Sequence, residues 1–324
     1  MRAGVGSAFA IGLAVMLLAS TAVAQDAEQH LLRGDVFYLQ GDYYRAITEY
    51  KYFLLASADD PRKSRVDLKI AYIYHVSERP DAAAELLRHV ALERRNEPEG
   101  YWAKLYAGHV SMAAEEPARA KRAYDEVLSG CAPVLDQSGA VEGIDRGECL
   151  ELTARAQLGV ARYWAALDDF DSAAEALASI PRSAQQADDA RKVAQYIATL
   201  NIPQKSPAVA GALSVIPGLG HFYLEEWGTG IVAMIWNGAF IFATVDSFAA
   251  GRIGQGTLLG LLELVWYGGT IFGAVSGAHR FNRDARLIVR EGLVRDIDRM
   301  AVDTPWPARF PVSYPTPLQL QFDF

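Results

Sequence analysis

The stretch Gly41-Asp42-Tyr43-Tyr44-Arg45-Ala46-Ile47 sets an aromatic residue three positions ahead of a small alanine, and Tyr50 follows four positions after that alanine. Asp168-Asp169-Phe170-Asp171-Ser172-Ala173-Ala174 repeats the arrangement, with Leu177 in the later place. Between the two, Pro80 with Ala83 and Leu87, and Pro117 with Ala120 and Tyr124, fill the same slots. Ala46, Ala83 and Ala120 are spaced 37 apart, and twelve residues before them lie Gly34, Ala71 and Gly108, all small. Ala161 stands in the same relation to Ala173. Two small residues per unit are what a helical hairpin requires, because a large side chain at the crossing would hold the two backbones apart. The larger Tyr50, Tyr74, Tyr124 and Trp164 then fill the space between successive hairpins. The expected fold is therefore all-α, with four hairpins over residues 27 to 182 and a capping helix over Ser183 to Leu200.

The step from Ala120 to Ala173 is 53 residues, so the third and fourth units are separated by an insertion. It holds the chain's two cysteines, Cys131 and Cys149, around a Gly-, Asp- and Ser-bearing stretch without helical period. In an oxidising compartment these two are expected to form a disulfide that staples a loop, the alternative being two free thiols near one surface. The repeats resemble the tetratricopeptide-repeat (TPR) family. Their period exceeds that family's usual length of about 34 residues, and the closing prolines Pro61, Pro98 and Pro133 fall late. The resemblance implies a helical-hairpin solenoid over residues 25–200 that binds protein partners in a concave groove, and it names no particular partner.

After Asn201-Ile202-Pro203 the composition changes. Thr229 to Phe248 carries a single ionisable residue, Asp246, and Thr257 to Ala278 carries only Glu263 among acids and bases ahead of a basic cluster. At about 1.5 Å per residue each approaches the roughly 30 Å of a bilayer core. Upstream, Ala208 to Tyr223 is apolar but broken by Pro217-Gly218-Leu219-Gly220, which makes it kinked, re-entrant or interfacial. The string from Leu213 through Pro217, Gly218, Gly220, His221 and Tyr223 resembles a family of small bacterial two-helix membrane domains that opens on a Pro-Gly-x-Gly-x-x-Tyr turn. With Asn237, Trp266-Tyr267-Gly268 and Asn282, that likeness covers residues 205–283, and it implies a membrane location without catalysis. Arg280, Arg283, Arg286 and Arg290 would lie in the cytoplasm after three crossings and outside after two. The positive-inside tendency favours three.

Charged groups inside a span cost about 2.5 to 3.5 kcal/mol on insertion scales, so Glu263 is either a functional group or a hydrogen-bond partner that joins its helix to Asn237. Residues 284–302 read as an amphipathic helix, with Val289, Leu293, Ile297 and Met300 on one face. Residues 303–324, with five prolines, read as an extended tail.

At the other end, Arg2, the apolar run from Ala3 to Ala19, and Ala22-Val23-Ala24 before Gln25-Asp26 form the three-part layout of a signal peptide over residues 1–24. A net charge of −8 and the lack of a basic stripe exclude a nucleic-acid partner. No His-Glu-x-x-His, phosphate-binding loop or Gly-x-Ser-x-Gly elbow occurs, so no enzyme, cofactor, metal or small-molecule substrate is expected. The expectation is a bacterial envelope adaptor, held in the inner membrane with its repeats in the periplasm or, alternatively, associated with the outer membrane. It would touch partner proteins through the groove and lipid through the C-terminal spans. A transporter or channel subunit using Asn237 and Glu263 is the competing function.

Overall fold

The computed structural model describes residues 25–57, 59–136 and 144–301. The signal segment 1–24 and the tail 303–324 lie outside the described residues. All regular structure among the described residues is α-helical. The chain divides into two compact units, one of residues up to Ile197 together with those from Asp296 onward, the other Ala198–Arg295.

The first unit contains α1 (25–39), α2 (Tyr43–Ala56), α3 (Lys63–Val76), α4 (Pro80–Glu93), α5 (Pro98–Ala113), α6 (Pro117–Leu135), α7 (Arg146–Ala166), α8 (Phe170–Ala178) and α9, which begins at Ala187 and ends at Ala198. From α2 to α8 each helix packs on the next, and α5 also touches α3 and α7. The turn inside each hairpin is the same. Gly41, Glu78, Glu115 and Asp168 all have φ between 57° and 75°, in the left-handed region. The next amide in each case reaches a carbonyl five residues back, from Asp42 to Phe37, Arg79 to Tyr74, Glu116 to Ser111 and Asp169 to Trp164, at 2.8 to 3.0 Å. These are Schellman closures, which satisfy carbonyls that a helix end leaves orphaned. Only the first turn uses glycine; the other three carry a side chain in a conformation that costs about 1–2 kcal/mol. The following helices start on a carboxylate cap, Asp42 accepting from the Arg45 amide and Asp169 from that of Ser172, or on Pro80 and Pro117 at the first helical positions.

Ala46, Ala71, Ala83, Ala120, Ala161 and Ala173 are all fully buried. Gly34 and Gly108 each lie under a tyrosine: a Cβ on Gly34 would fall 2.6 Å from the Tyr50 ring, and one on Gly108 2.4 Å from Tyr124. Where the earlier helix carries alanine instead, at Ala71 and Ala161, the residue sixteen positions on is Leu87 or Leu177 rather than tyrosine. Volume lost on one helix is thus regained on the other. A buried cluster ties the first hairpin to the second: Tyr50 donates to Asp35 at 2.6 Å, and Lys69 of α3 donates to the same carboxylate oxygen at 2.6 Å.

The insertion differs from expectation. Instead of a loop from Cys131 to Cys149, α6 runs through Pro133 to Leu135 and α7 begins at Arg146. Pro133 gives up the amide that would reach the Ser129 carbonyl, a single bond lost in the last turn, and the helix still closes with the Asp136 amide on the Ala132 carbonyl at 2.9 Å.

The second unit contains α10 (Pro207–Leu213), α11 (Leu219–Tyr223), α12 (Trp227–Ala249) and most of α13 (Ile253–Ala301). Both α12 and α13 are long and apolar enough to cross a membrane. Their surface is inverted relative to that of a soluble hairpin: Ile231, Ile235, Phe242 and Val245 of α12, and Leu258, Leu261, Val265 and Phe272 of α13, are exposed, while Asn237 and Glu263 are buried. The Pro217 segment does not form one long helix. Gly218, at φ 88°, splits the Pro217 segment into two helices only about 10 and 8 Å long. Residues 284–302 are not a separate amphipathic helix, because α13 continues unbroken from its apolar half through the arginine cluster to Ala301.

Gly34→Ala is expected to lower stability by about 1–3 kcal/mol through overpacking, and Gly34→Ala combined with Tyr50→Leu, which installs the alanine–leucine pairing of the second hairpin, is expected to recover part of it. Thermal unfolding of the two variants checks this; a double variant weaker than the sum of its parts refutes the volume trade.

Candidate functional site

Helices α3, α5 and α7, the first of each hairpin, together line a groove of about 540 Å³. Tyr72 and His75 come from α3, Tyr106 and His109 from α5, and Arg155, Leu158 and Arg162 from α7. The rings form a continuous wall, with His109 edge-on to both Tyr106 and Tyr124. The groove's fourth side is the last turn of the chain's own α13, which contributes Ile297, Asp298 and Ala301.

The histidines hold no charge there. Burial, reinforced by the neighbouring Arg162 and Arg155, pushes His109 down to about 3, and burial alone lowers His75. Positive charge in the groove therefore comes from the two arginines. Arg155 is almost fully buried, donates to Glu151 at 3.1 Å and lies over the Trp102 ring at 5.7 Å. It also donates to the Ala301 carbonyl at 3.3 Å. Arg162 pairs through Nε with Asp298 at 2.8 Å. That approach is not aligned for a hydrogen bond, since Nε has no hydrogen-bond partner. Both side chains remain partly open to water, so the pair contributes about 0–1 kcal/mol.

Cys131 and Cys149 are neighbouring, buried free thiols. The expected disulfide is not formed. Burial raises both thiols, Cys131 most, which disfavours the thiolate through which exchange proceeds.

In the second unit the Pro-Gly-x-Gly-x-x-Tyr residues serve close packing. A Cβ on Gly218 would fall 2.3 Å from the Gly230 carbonyl oxygen, and one on Gly220 2.4 Å from that of Ala210. The Tyr223 hydroxyl accepts from the Ser206 amide at 2.9 Å. Asn282 holds the Lys205 backbone at both its N–H and its C=O. Pro217 closes the turn ahead of Gly218 and makes no polar contact of its own. Asn237 and Glu263 do not pair with each other. The Asn237 amide donates to the Ala233 carbonyl and to Thr270, leaving its Oδ1 and both Glu263 carboxylate oxygens buried without a partner.

Sequence reasoning missed the groove residues on α3, α5 and α7. A signal existed: Tyr72, His109 and Arg162 follow one another at steps of 37 and 53, the same steps that separate Ala83, Ala120 and Ala173. The 37-residue phase of the small positions drew attention to the crossing face instead. Among the described residues no cluster of three His, Cys, Asp or Glu side chains could hold a metal ion. No family model, curated protein or solved structure matches the chain.

His109 is neutral when folded and takes up a proton near its ordinary 6.5 when unfolded. Acid therefore favours the unfolded chain: the contribution is intact above about pH 6.5 and is lost as pH falls toward 3, by up to about 1.4 kcal/mol per pH unit. Asp67, which burial pushes up to about 6, works in the opposite sense. Comparing wild type with His109→Gln by chemical denaturation between pH 7 and 4 isolates the histidine, and the variant is expected to lose less stability on acidification.

Proposed function

We propose that the protein is a TPR-type adaptor of the bacterial envelope, anchored in the inner membrane by α12 and α13, that holds a partner protein's peptide segment in the groove between α3, α5 and α7. The observation that carries this reading is the groove itself: three successive hairpins present aromatic walls and two arginines to one side, an arrangement that recognises an extended polar chain.

The number of crossings follows from the chain's path. Residues on both sides of the α12–α13 hairpin belong to one unit, with Arg162 of α7 against Asp298 of α13, which supports an even count and hence two spans. Two spans put Arg280 and Arg283 on the repeats' side of the membrane, against the positive-inside tendency. The amino-terminal export signal outweighs it, because the first hydrophobic segment usually dominates orientation. Exposed apolar side chains along both helices supply the surface for lipid.

A second reading, a subunit of a transporter or channel, is favoured by the unpartnered buried oxygens of Asn237 and Glu263. Glu263→Gln separates the two. An adaptor keeps its partner, whereas a conducting subunit loses flux.

The mature protein is expected to stay with membranes after a high-salt wash, since apolar burial is insensitive to screening, and its repeats are expected to be digested by protease added to spheroplasts. A photo-crosslinking residue at Tyr106 is expected to capture one discrete partner in intact cells, and none when placed at exposed Tyr44. Protection of the repeats in spheroplasts would reverse the orientation, and identical capture from both positions would refute the groove.

A further inference from the structure

We propose that the last turn of α13 is a tethered ligand of the groove, and that a partner enters by presenting a peptide carboxylate that takes the place of Asp298 on Arg162. This rests on the reading of the groove as a peptide site and adds how it is regulated and what it recognises. Three observations carry it. The groove retains about 540 Å³ of open space although the last turn of α13 already forms one of its sides, so that turn does not fill it. The contacts made by that turn are the ones a foreign peptide would make: the Asp298 carboxylate on Arg162, the Ala301 main-chain carbonyl accepting from Arg155, and an apolar side chain, Ile297, 1% exposed. The two arginines are also held differently. Arg155 is held by Glu151 and Trp102, neither of which belongs to α13, while the Arg162–Asp298 pair is partly open to water and poorly aligned, so exchange of one carboxylate for another costs little.

Tethering sets the strength of the competition. A segment joined to its own site acts at an effective concentration on the order of millimolar, so a free peptide at micromolar concentration meets a groove that is largely taken, and its apparent affinity falls by the fraction unoccupied. Removing the tethered carboxylate should raise that fraction without altering the groove wall.

The test uses the full-length protein in detergent micelles and a fluorescein-labelled synthetic peptide of residues 290–302, read by anisotropy. Asp298→Ala in the protein is expected to tighten peptide binding about tenfold or more over wild type. The same peptide with asparagine in place of Asp298 is expected to lose that gain. Arg162→Glu in the protein is expected to abolish binding, and a peptide with arginine in place of Asp298 is expected to restore it, which a variant that merely fails to fold could not do. Equal affinity for wild type and Asp298→Ala, binding to neither, or indifference to the peptide's carboxylate would each overturn the proposal. The adaptor reading fails separately, if the peptide exchanges as expected while crosslinking from Tyr106 in cells captures no protein.

Discussion

A tyrosine ring against a glycine is the constraint on which the repeat unit depends. At Gly34 and Gly108 the two helices of a hairpin approach so closely that a methyl group would fall within 2.6 Å of the Tyr50 ring or 2.4 Å of the Tyr124 ring. A rigid, buried ring cannot give way, and protein interiors hold no spare volume to receive it. Consequences follow outward from that contact. Tyr50 buries a hydroxyl, which must find an acceptor; Asp35 supplies it, and the buried carboxylate in turn requires a cation, which Lys69 brings from the next hairpin. The choice of glycine at one crossing is thereby tied to a lysine in α3. At the other glycine crossing the linkage is steric instead. The Tyr124 ring lies against Gly108 of α5 and also against Gly159 of α7, where a Cβ would come within 2.4 Å, so a single side chain sets the spacing of the third and fourth hairpins. Breaking a buried pair by removing one partner leaves an uncompensated charge, so the two ends of the unit are sensitive to different kinds of substitution.

The hairpins were legible because small residues at close crossings are demanded locally and recur in phase. The identical left-handed turns were less so. Glu78, Glu115 and Asp168 occupy a conformation that glycine fills at Gly41, and a carboxylic acid does not announce positive φ as glycine does. Tertiary packing overrides the preference, since the pitch of each hairpin leaves the chain no other way to reverse. The helical state of Cys131 and Cys149 was hidden by the Gly, Asp and Ser residues between them, which break the helical period in the sequence although α6 runs on to Leu135 and α7 begins at Arg146. Residues 284–302 have a different pattern from 257–278, which reads as a boundary, yet the helix crosses it because a change in what surrounds a helix does not interrupt its hydrogen bonds.

In the second unit, glycine again decides what can come close. Gly218, Gly220 and Gly230 let α10 and α11 settle against the α12–α13 hairpin at distances that would not admit a Cβ, and Tyr223, Tyr267 and Asn282 then satisfy backbone groups freed by the breaks, at Ser206, Val215 and Lys205. Irregular backbone inside a hydrophobic unit is sustainable only with such partners. Asn237 and Glu263 looked like a pair because both are polar in apolar helices. Register separates them: Asn237 lies opposite Thr270, two turns along α13 from Glu263, and the two-fold choice of faces in the sequence contains no information about how far one helix slides along the other.

The groove's use of arginine rather than histidine has a physical consequence for what it can recognise. Burial lowers both His75 and His109, the latter helped by Arg162 and Arg155, so they offer shape and a polar edge rather than charge. Guanidinium groups stay charged under the same burial. Of the two, Arg155 is fixed by Glu151 below and Trp102 beside it, and Trp102 is itself anchored by its indole N–H on Glu148 at 2.8 Å. That chain of contacts runs inside α5 and α7 and does not depend on an occupant. Arg162 has no comparable support within the groove wall among the contacts described, and its carboxylate partner arrives from the far end of the chain. On the proposed reading, discrimination between occupants concentrates at Arg162, while Arg155, already positioned, meets the main chain of the occupant as it meets the Ala301 carbonyl.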